Sequence, residues 1–191
     1  MKEELDALSK NCTWDLVTLP PRKYVVGCKG IYKIKTHSDG SIERYKARLV
    51  AKGFTQEYMI DYEENFAPVA RISFIHALLA VIAASKWNLF QMDVKNVFLN
   101  ENLSKEVYMQ PPSSLFIQPN KVCHLWCALY GLKQAPRAWF AKFCSTISRL
   151  GYIASHYDSI LFLRCIDKCT ILVLLYVDDM IITSDDLSGI Q

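Results

Sequence analysis

The sequence has no apolar run long enough to cross a bilayer and no apolar segment typical of a signal peptide. Its longest apolar stretches are residues 171–177 and 77–84, whereas a membrane helix needs about 20 such residues. The first ten residues (MKEELDALSK) are acidic and amphipathic, unlike the basic and then apolar start of a secreted protein. We therefore expect a soluble intracellular protein that does not bind a membrane.

Glycine and proline are scarce, with seven of each among 191 residues, and only 21% of the residues are charged. This composition excludes collagen-like and intrinsically disordered chains, which are rich in one or more of these residues. The hydrophobic fraction of 51% supplies enough apolar side chain for one sizeable core.

The cysteines do not indicate a disulfide framework, because their number is odd and no secretion signal precedes them. Cys123 with Cys127, and Cys165 with Cys169, form two C-x3-C pairs. Neither pair has the tight spacing of a zinc knuckle, so the sequence favours reduced, mostly buried thiols. The alternative is an unrelated fold that holds zinc.

The positive charge is concentrated in one segment. Residues 22–52 contain nine Lys or Arg against Asp39 and Glu43, a charge of +7, so the remainder carries −4 of the net +3. Such a basic lobe is typical of phosphate binding. A solvated hairpin face is the alternative.

Periodicity and turn residues predict an α+β fold, with a sheet covered by helices on one face. A basic hairpin precedes this core, with the turn cluster 36–40 between its strands. We expect Ser73 to cap the second helix, residues 87–93 to form a buried strand, residues 111–114 to form a loop, and Gly151 to end the last helix. The predicted helices are residues 3–10, 73–86 and 138–150, and the predicted strands are residues 28–35, 45–52, 87–93, 171–177 and 180–183.

Two adjacent carboxylates, Asp178 and Asp179, stand between the last two apolar runs. Asp is common in tight turns, which is one explanation for this pair. However, two neighbouring negative charges repel each other, and a divalent cation would relieve the repulsion. Asp93 ends another strand-like run, where it either caps the next element or serves a site. Three carboxylates at one sheet end suit a two-metal phosphoryl-transfer centre.

At these residues the chain resembles the reverse transcriptase of copia-type long-terminal-repeat retrotransposons over nearly its whole length. Four motifs carry the resemblance, in the order and at the spacing of that family. They are residues 45–53 (YKARLVAKG), 91–96 (QMDVKN), 129–139 (LYGLKQAPRAW) and 176–179 (YVDD).

The resemblance implies the fingers and palm of a right-hand polymerase, with an antiparallel palm sheet packed on helices. A single reverse transcriptase domain would span residues 1–191, with the fingers near residues 22–70 and the palm, with some fingers elements, in residues 71–191. The chain stops soon after the YVDD motif, so we expect the thumb to be missing and the protein to be a Pol polyprotein fragment.

The resemblance also implies roles for single residues. Asp93, Asp178 and Asp179 would be the catalytic and metal-binding carboxylates, Asp178 the more directly bound, with the Val94 carbonyl beside them. Two Mg²⁺ or Mn²⁺ ions would be the cofactors. The substrate-binding residues would be Lys46, Arg48, Phe98 and Gln134, and the nucleic-acid-binding residues Lys52, Arg137 and Tyr176.

Some of these roles have alternatives. Phe98 matches the bulky gate that rejects a 2′-hydroxyl, and it can equally be a core residue. Arg137 would contact a backbone phosphate or cap the following helix. Lys46 and Arg48 match basic residues that approach the incoming triphosphate, where Arg binds phosphate bidentately.

The implied reaction is attack of a primer 3′-hydroxyl on the α-phosphate of a deoxynucleotide, directed by an RNA or DNA template. The implied location is the cytoplasm, in a virus-like particle for an intact element, or the nucleus. The sequence departs from the family at Gly30, usually Trp, at Val97, usually Ala, and in lacking the Gly that follows Pro112.

Three hypotheses therefore remain. In the first, the chain is a reverse transcriptase domain whose activity alone is weak or absent. In the second, it is a non-enzymatic retrotransposon remnant or a basic nucleic-acid-binding module. The third is the zinc-binding fold.

Overall fold

The computed structural model describes residues 1–94, 97–113, 115, 120–166 and 169–185, except residue 101. The chain divides into two compact units, each built from two stretches. The first unit is Met1–Phe66 with Phe98–Trp139, and the second is Ala67–Val97 with Phe140–Gln191. The fold is mixed α and β, and the assignment of fingers and palm to residues 22–70 and 71–191 stays a prediction.

Three α-helices, two 3₁₀-helices (Gly53–Thr55 and Val97–Asn100) and eleven strands make up the regular structure of the described residues. The helices are α1 (Lys2–Lys10), α2 (Ile72–Ser85) and α3 (Ala135–Arg149). The strands are β1 (Trp14–Thr18), β2 (Val25–Val26), β3 (Cys28–Thr36), β4 (Ile42–Ala51), β5 (Asn88–Asp93), β6 (Asn102–Met109), β7 (Lys121–Cys127), β8 (Ile153–Ala154), β9 (Leu161–Ile166), β10 (Cys169–Tyr176) and β11 (Asp179–Ser184).

The first unit contains a four-stranded sheet, in the order β1-β7-β6-β2, and the two-stranded hairpin β3-β4. The hairpin was expected from its basic strands and its turn. The His37 N–H donates to the Ser41 carbonyl, and Gly40 supplies the positive φ of 85° that the turn requires. The side chain of Met1 occupies the space next to Gly30. Its terminal carbon would lie 2.5 Å from a Cβ added to Gly30, so a larger residue there would displace Met1.

Two backbone segments of the first unit lie unusually close together. The Ala51 N–H donates to the Tyr130 carbonyl at 2.7 Å. A Cβ added to Gly53 would collide with the Gly131 carbonyl, and one added to Gly131 would collide with the Ala51 carbonyl. Gly131 also has a φ of +89°, which disfavours any other residue. Glycine at both positions therefore permits the approach.

The second unit contains a five-stranded sheet in the order β5-β11-β10-β9-β8, with every neighbouring pair antiparallel. Its core includes the buried residues Ile171 and Leu174 of β10. Phe143 of α3 packs edge-to-face on Phe162 of β9, with ring centroids 5.3 Å apart. Helix packing on this sheet agrees with the expected α+β class.

The last helix ends as the sequence predicted, although it begins three residues earlier than expected. The Gly151 N–H donates to the Ser148 carbonyl and the Tyr152 N–H to the Ile147 carbonyl, while Gly151 has a φ of +84°. This is the Schellman pattern, in which a left-handed glycine satisfies the last free carbonyls of a helix.

Two local predictions were wrong, and a third is confirmed as far as residue 113. The strand at residues 87–93 was expected to be buried, but all six residues of β5 are exposed, because β5 is the edge of its sheet. Ser73 does not cap α2, since the helix has already begun at Ile72 and Arg71 is its N-cap. The loop at residues 111–114 has no regular structure through 113, and residue 114 lies outside the described residues.

Within the described ranges, no helix is long and apolar enough to span a membrane.

The close approach at Gly131 leads to a stability prediction. Gly131→Ala should lower the free energy of unfolding by about 1–3 kcal/mol because alanine is strained at a positive φ. It should lower it by about 1–3 kcal/mol more because the added methyl group would push the Ala51 backbone away. Chemical denaturation would measure the loss. Gly40→Ala is the matched control, because Gly40 has a φ of +85° and nothing within 4 Å of its Cβ position. Equal losses in the two variants would contradict the close approach.

Candidate functional site

Two of the three predicted catalytic carboxylates lie on neighbouring strands of the second unit. β11 pairs with β5 so that Asp179 is directly opposite Asp93. The Val94 N–H donates to the Asp178 carbonyl at 3.0 Å, so the next pair, Asp93 and Asp179, is a non-hydrogen-bonded pair. In such a pair the side chains share one face and their Cβ atoms lie about 4.5–5.5 Å apart.

The hairpin that carries Asp178 and Asp179 differs from the prediction in its turn. Tyr176 pairs with Asp179, so the two-residue connection is Val177–Asp178 and Asp179 belongs to β11. The period-two alternation therefore gives Asp179, and not the turn residue Asp178, the position across from Asp93.

The turn has an unusual backbone at Val177, whose φ is 55°. A two-residue hairpin of type II′ needs a positive φ at its first central position, where glycine is preferred. A β-branched residue in this region is strained by about 1–3 kcal/mol. Such strain is often found at functional sites.

Gln91 is a site residue that sequence reasoning missed. Its Nε2 donates to Oδ1 of Asp179 at 3.3 Å. Gln91 is two residues before Asp93 on β5, so both side chains point to the same face of the sheet. That alternation was visible in the sequence once residues 88–93 were assigned to a strand.

A metal site here would depend on how closely the carboxylates approach each other. In the part of the chain that the structure describes, no three His, Cys, Asp or Glu side chains are gathered closely enough to hold an ion. The backbone nevertheless brings Asp93 and Asp179 face to face, with Asp178 and Val94 adjoining them. Opposed like charges on a sheet are unfavourable, so this pair is suited to a cation. Lys95 and Asn96 of the same motif lie outside the described residues.

The cysteine pairs have different environments. Cys123, Cys127 and Cys169 are buried, whereas Cys165 is exposed. Burial, with a smaller contribution from Cys28, raises the pKa of the Cys123 thiol to about 12. A buried, protonated thiol is a poor metal ligand, because ligation needs the thiolate.

The basic residues of the β3-β4 hairpin share one face. Lys33 pairs with Lys46, and Arg48 pairs with Ile31. Because alternate side chains of paired strands point to the same side, one face collects six cationic residues. They are Lys29, Lys33, Lys35, Arg44, Lys46 and Arg48, and we call this set the basic face.

Arg48 of the basic face is held by an ion pair and by an aromatic ring. Its Nη1 lies 3.0 Å from Oε2 of Glu4, and its guanidinium lies 5.5 Å from the centroid of the Tyr130 ring. The Glu4 side chain is only 8% exposed and that of Arg48 is 26% exposed. Oε1 of Glu4 also accepts the Leu49 N–H at 3.3 Å. Glu4 was missed by sequence reasoning, since nothing in α1 marks it as a partner of β4.

Phe98 is 8% exposed and packs edge-to-face on Tyr130, with ring centroids 4.8 Å apart. Its interpretation as a core residue therefore holds, while its role as a sugar gate stays a prediction. Tyr130 contacts both Phe98 and Arg48, two of the predicted substrate-binding residues.

Gln134 is half-buried in a network of amides. Its Oε1 accepts from Nε2 of Gln56 at 3.0 Å, and its Nε2 donates to the Asp61 carbonyl at 3.3 Å. Gln56 is 3% exposed and was not predicted as a site residue.

The remaining predicted residues lie at the surface or near it. Arg137 is inside the first turn of α3, so the alternative that it caps this helix is wrong; its Nε lies 2.7 Å from Oε2 of Glu64. Lys46 and Lys52 are half-buried, and Tyr176 is exposed at the end of β10.

The Glu4–Arg48 pair gives a second stability prediction. Glu4→Gln keeps an acceptor but removes the charge that faces a partly buried guanidinium, so unfolding should become easier by about 1–3 kcal/mol. Glu3→Gln is the control, because it removes an exposed charge from the same helical turn and should cost less than about 0.5 kcal/mol. Thermal or urea denaturation would compare the two. Indistinguishable variants would show that the pair does not hold α1 on β4.

Comparison with known proteins identifies the family. The model of the family described as "Reverse transcriptase (RNA-dependent DNA polymerase)" matches residues 11–191. The "Retrovirus-related Pol polyprotein from transposon RE1" of Arabidopsis thaliana is 46% identical over 191 residues, which cover 97% of this chain and 13% of that protein. The corresponding RE2 polyprotein of the same plant is 44% identical, with the same coverage.

A third relative comes from tobacco. The "Retrovirus-related Pol polyprotein from transposon TNT 1-94" of Nicotiana tabacum is 42% identical over 189 residues, covering 97% of this chain and 14% of that protein. The chain thus spans about one-seventh of the length of these relatives. The resemblance to copia-type retrotransposon Pol polyproteins is confirmed, and the chain belongs to the reverse transcriptase (RNA-dependent DNA polymerase) family.

Proposed function

We propose that this chain is a domain that catalyses RNA-directed DNA synthesis by two-metal nucleotidyl transfer. The observation that supports this most directly is the placement of Asp93 opposite Asp179 in a non-hydrogen-bonded pair. A pair of facing carboxylates at the end of a sheet, beside a third in a strained turn, suits divalent-cation chemistry on phosphates.

Asp93, Asp178, Asp179 and the Val94 carbonyl would hold two Mg²⁺ or Mn²⁺ ions. When bound, these ions would stabilise the attacking 3′-oxygen and the charge that develops on the phosphates. Gln91 would hold Asp179 in place through the hydrogen bond to Oδ1. The pairing of β5 with β11 supports this role, because it puts Asp93 opposite Asp179.

The proposed substrate-binding residues belong to the first unit. Lys46 and Arg48 would bind the triphosphate of a deoxynucleotide, Arg48 being held ready by Glu4 and Tyr130. Phe98, fixed by packing, would leave no room for a 2′-hydroxyl. Gln134 would line the nucleotide pocket, and Lys52, Arg137 and Tyr176 would contact an RNA or DNA template with its primer.

The finer architecture is also part of the proposal. The sheets and helices would correspond to polymerase fingers and palm. Because the chain spans 13% of the length of the RE1 polyprotein, no other activity of a polyprotein is assigned to it. We propose that these 191 residues alone retain weak activity, which primer extension can detect.

A second candidate is a nucleic-acid-binding module without catalysis. The observation that favours it is the basic face, whose six cations need no metal or carboxylate to attract a phosphate backbone. This candidate predicts binding that is unaffected by loss of the carboxylates.

Primer extension separates the two candidates. The chain should extend a DNA primer on an RNA template in the presence of Mg²⁺, and Asp178→Asn with Asp179→Asn should reduce incorporation by at least about a hundredfold, because charge stabilisation of the transition state is lost. Glu3→Gln with Asp6→Asn is the control, since it removes two exposed carboxylates from α1. No incorporation by a folded wild-type chain would favour the binding module.

The basic face makes a prediction about salt. Replacing Lys29 and Lys33 by Gln should weaken binding to a primer–template duplex and flatten the slope of log K against log [salt] by about 1–2, since each phosphate contact contributes about 0.7–0.9. Lys2→Gln with Lys10→Gln removes the same charge from α1 and should change the slope little. Fluorescence anisotropy would measure both, and equal slopes would rule out the basic face as the binding surface.

A further inference from the structure

Gln56 is a buried polar residue whose amide oxygen and amide nitrogen each have a hydrogen-bond partner. Its side chain is in contact with two successive residues of the 129–139 motif. Oε1 of Gln56 accepts the Lys133 N–H at 2.9 Å, and its Nε2 donates to Oε1 of Gln134 at 3.0 Å. Its backbone carbonyl accepts from Nζ of Lys133 at 3.0 Å.

The two ends of this chain of hydrogen bonds fix its direction. The backbone N–H of Lys133 can only donate, so the Gln56 atom that faces it must be the oxygen, and the nitrogen of Gln56 must face Gln134. The carbonyl of Asp61 can only accept, so the Gln134 atom that faces it must be the nitrogen. Neither amide can rotate by 180° without placing two donors or two acceptors against each other.

A fixed amide offers a defined pattern to a ligand. Each amide oxygen can accept two hydrogen bonds and each amide nitrogen can donate two. One acceptor site on Oε1 and one hydrogen on Nε2 of Gln134 are not used by Gln56 and Asp61. If Gln134 turned over, the donor and the acceptor presented to a nucleotide would exchange places.

We propose that Gln56 is a positioning residue for nucleotide binding, which holds the amide of Gln134 in the one orientation that accepts the incoming deoxynucleotide. This assignment rests on the proposed function, in which Gln134 lines the nucleotide pocket. It extends that function to a residue outside the four motifs.

The surrounding structure holds Gln56 itself in place. Gly53 begins the single helical turn before Gln56 and touches the backbone at Gly131, as described above. Lys133 lies over the ring of Tyr62, with Nζ 4.9 Å from the ring centroid and 3.3 Å from the hydroxyl. The segment of Gln56 and the segment of Gln134 are therefore held together by contacts on both sides of the amide pair.

Gln56→Glu tests the proposal with little change in shape. The new carboxylate still accepts the Lys133 N–H but cannot donate to Gln134, so Gln134 should lose its fixed orientation. In steady-state primer extension, the KM for dTTP should rise about tenfold, the size expected for a lost hydrogen bond to a polar partner, while kcat changes by less than about threefold. Gln110→Glu is the matched control, since Gln110 is exposed in the same unit.

The Gln134→Met background separates positioning from general damage. If Gln56 acts through Gln134, then Gln56→Glu should raise KM by less than about twofold once Gln134→Met has removed the amide. Gln56→Met, which adds no charge, serves as a second variant if Gln56→Glu is poorly folded. An unchanged KM in both Gln56 variants, or an equal rise in both backgrounds, would overturn the proposal.

Side-chain amide NMR gives a readout that does not need activity. The Gln134 amide signals, identified by their loss in Gln134→Met, should shift and exchange faster with water in Gln56→Glu. If the wild type incorporates no nucleotide, the proposed function fails and the effect on KM fails with it. Unchanged Gln134 signals in an active enzyme would instead refute only the positioning by Gln56.

Discussion

The hydrogen bond from the Val94 N–H to the Asp178 carbonyl marks the register on which the carboxylate arrangement depends. Side chains alternate along a strand, so a slip of one residue between β5 and β11 would send Asp179 to the face opposite Asp93. The short turn at Val177–Asp178 ties β11 to β10, whose buried side chains anchor it in the core. The buried side chains of β10 therefore hold the strand that carries Asp179.

The backbone that carries the candidate functional groups is held differently in the two units. In the second unit a strained residue, Val177, is kept in place by the ladders of β10 and β11. In the first unit, Gly53 and Gly131 remove side chains so that two segments touch, and buried polar groups then bridge them. A positive φ is thus held by strand pairing at the carboxylate turn, whereas the contact between segments in the first unit depends on glycine.

Patterns that are local in sequence predicted much of this structure. The hairpin β3-β4, the helix α3 with its end at Gly151, and the strands on either side of the YVDD motif follow from periodicity and turn residues. The exposure of β5 could not be predicted, because the sequence of an apolar strand does not show whether the strand lies at the edge or in the middle of a sheet. The roles of Glu4 and Gln56 could not be predicted either, because their hydrogen-bond partners lie 44 and 78 residues away in sequence. The motifs identified the reacting groups, whereas the residues that orient them emerged only from three-dimensional contacts.

The position of β5 at the sheet edge has a consequence for how the chain folds. Gln91 and its partner Asp179 are 88 residues apart, so a ribosome working at 5–20 residues per second leaves β5 unpaired for roughly 4–18 s. During that time an apolar strand with open backbone groups can pair with other chains. We expect the charge on Asp93, at the end of β5, to discourage such pairing. The carboxylate that suits metal chemistry in the finished fold would then also protect the chain while it is being made.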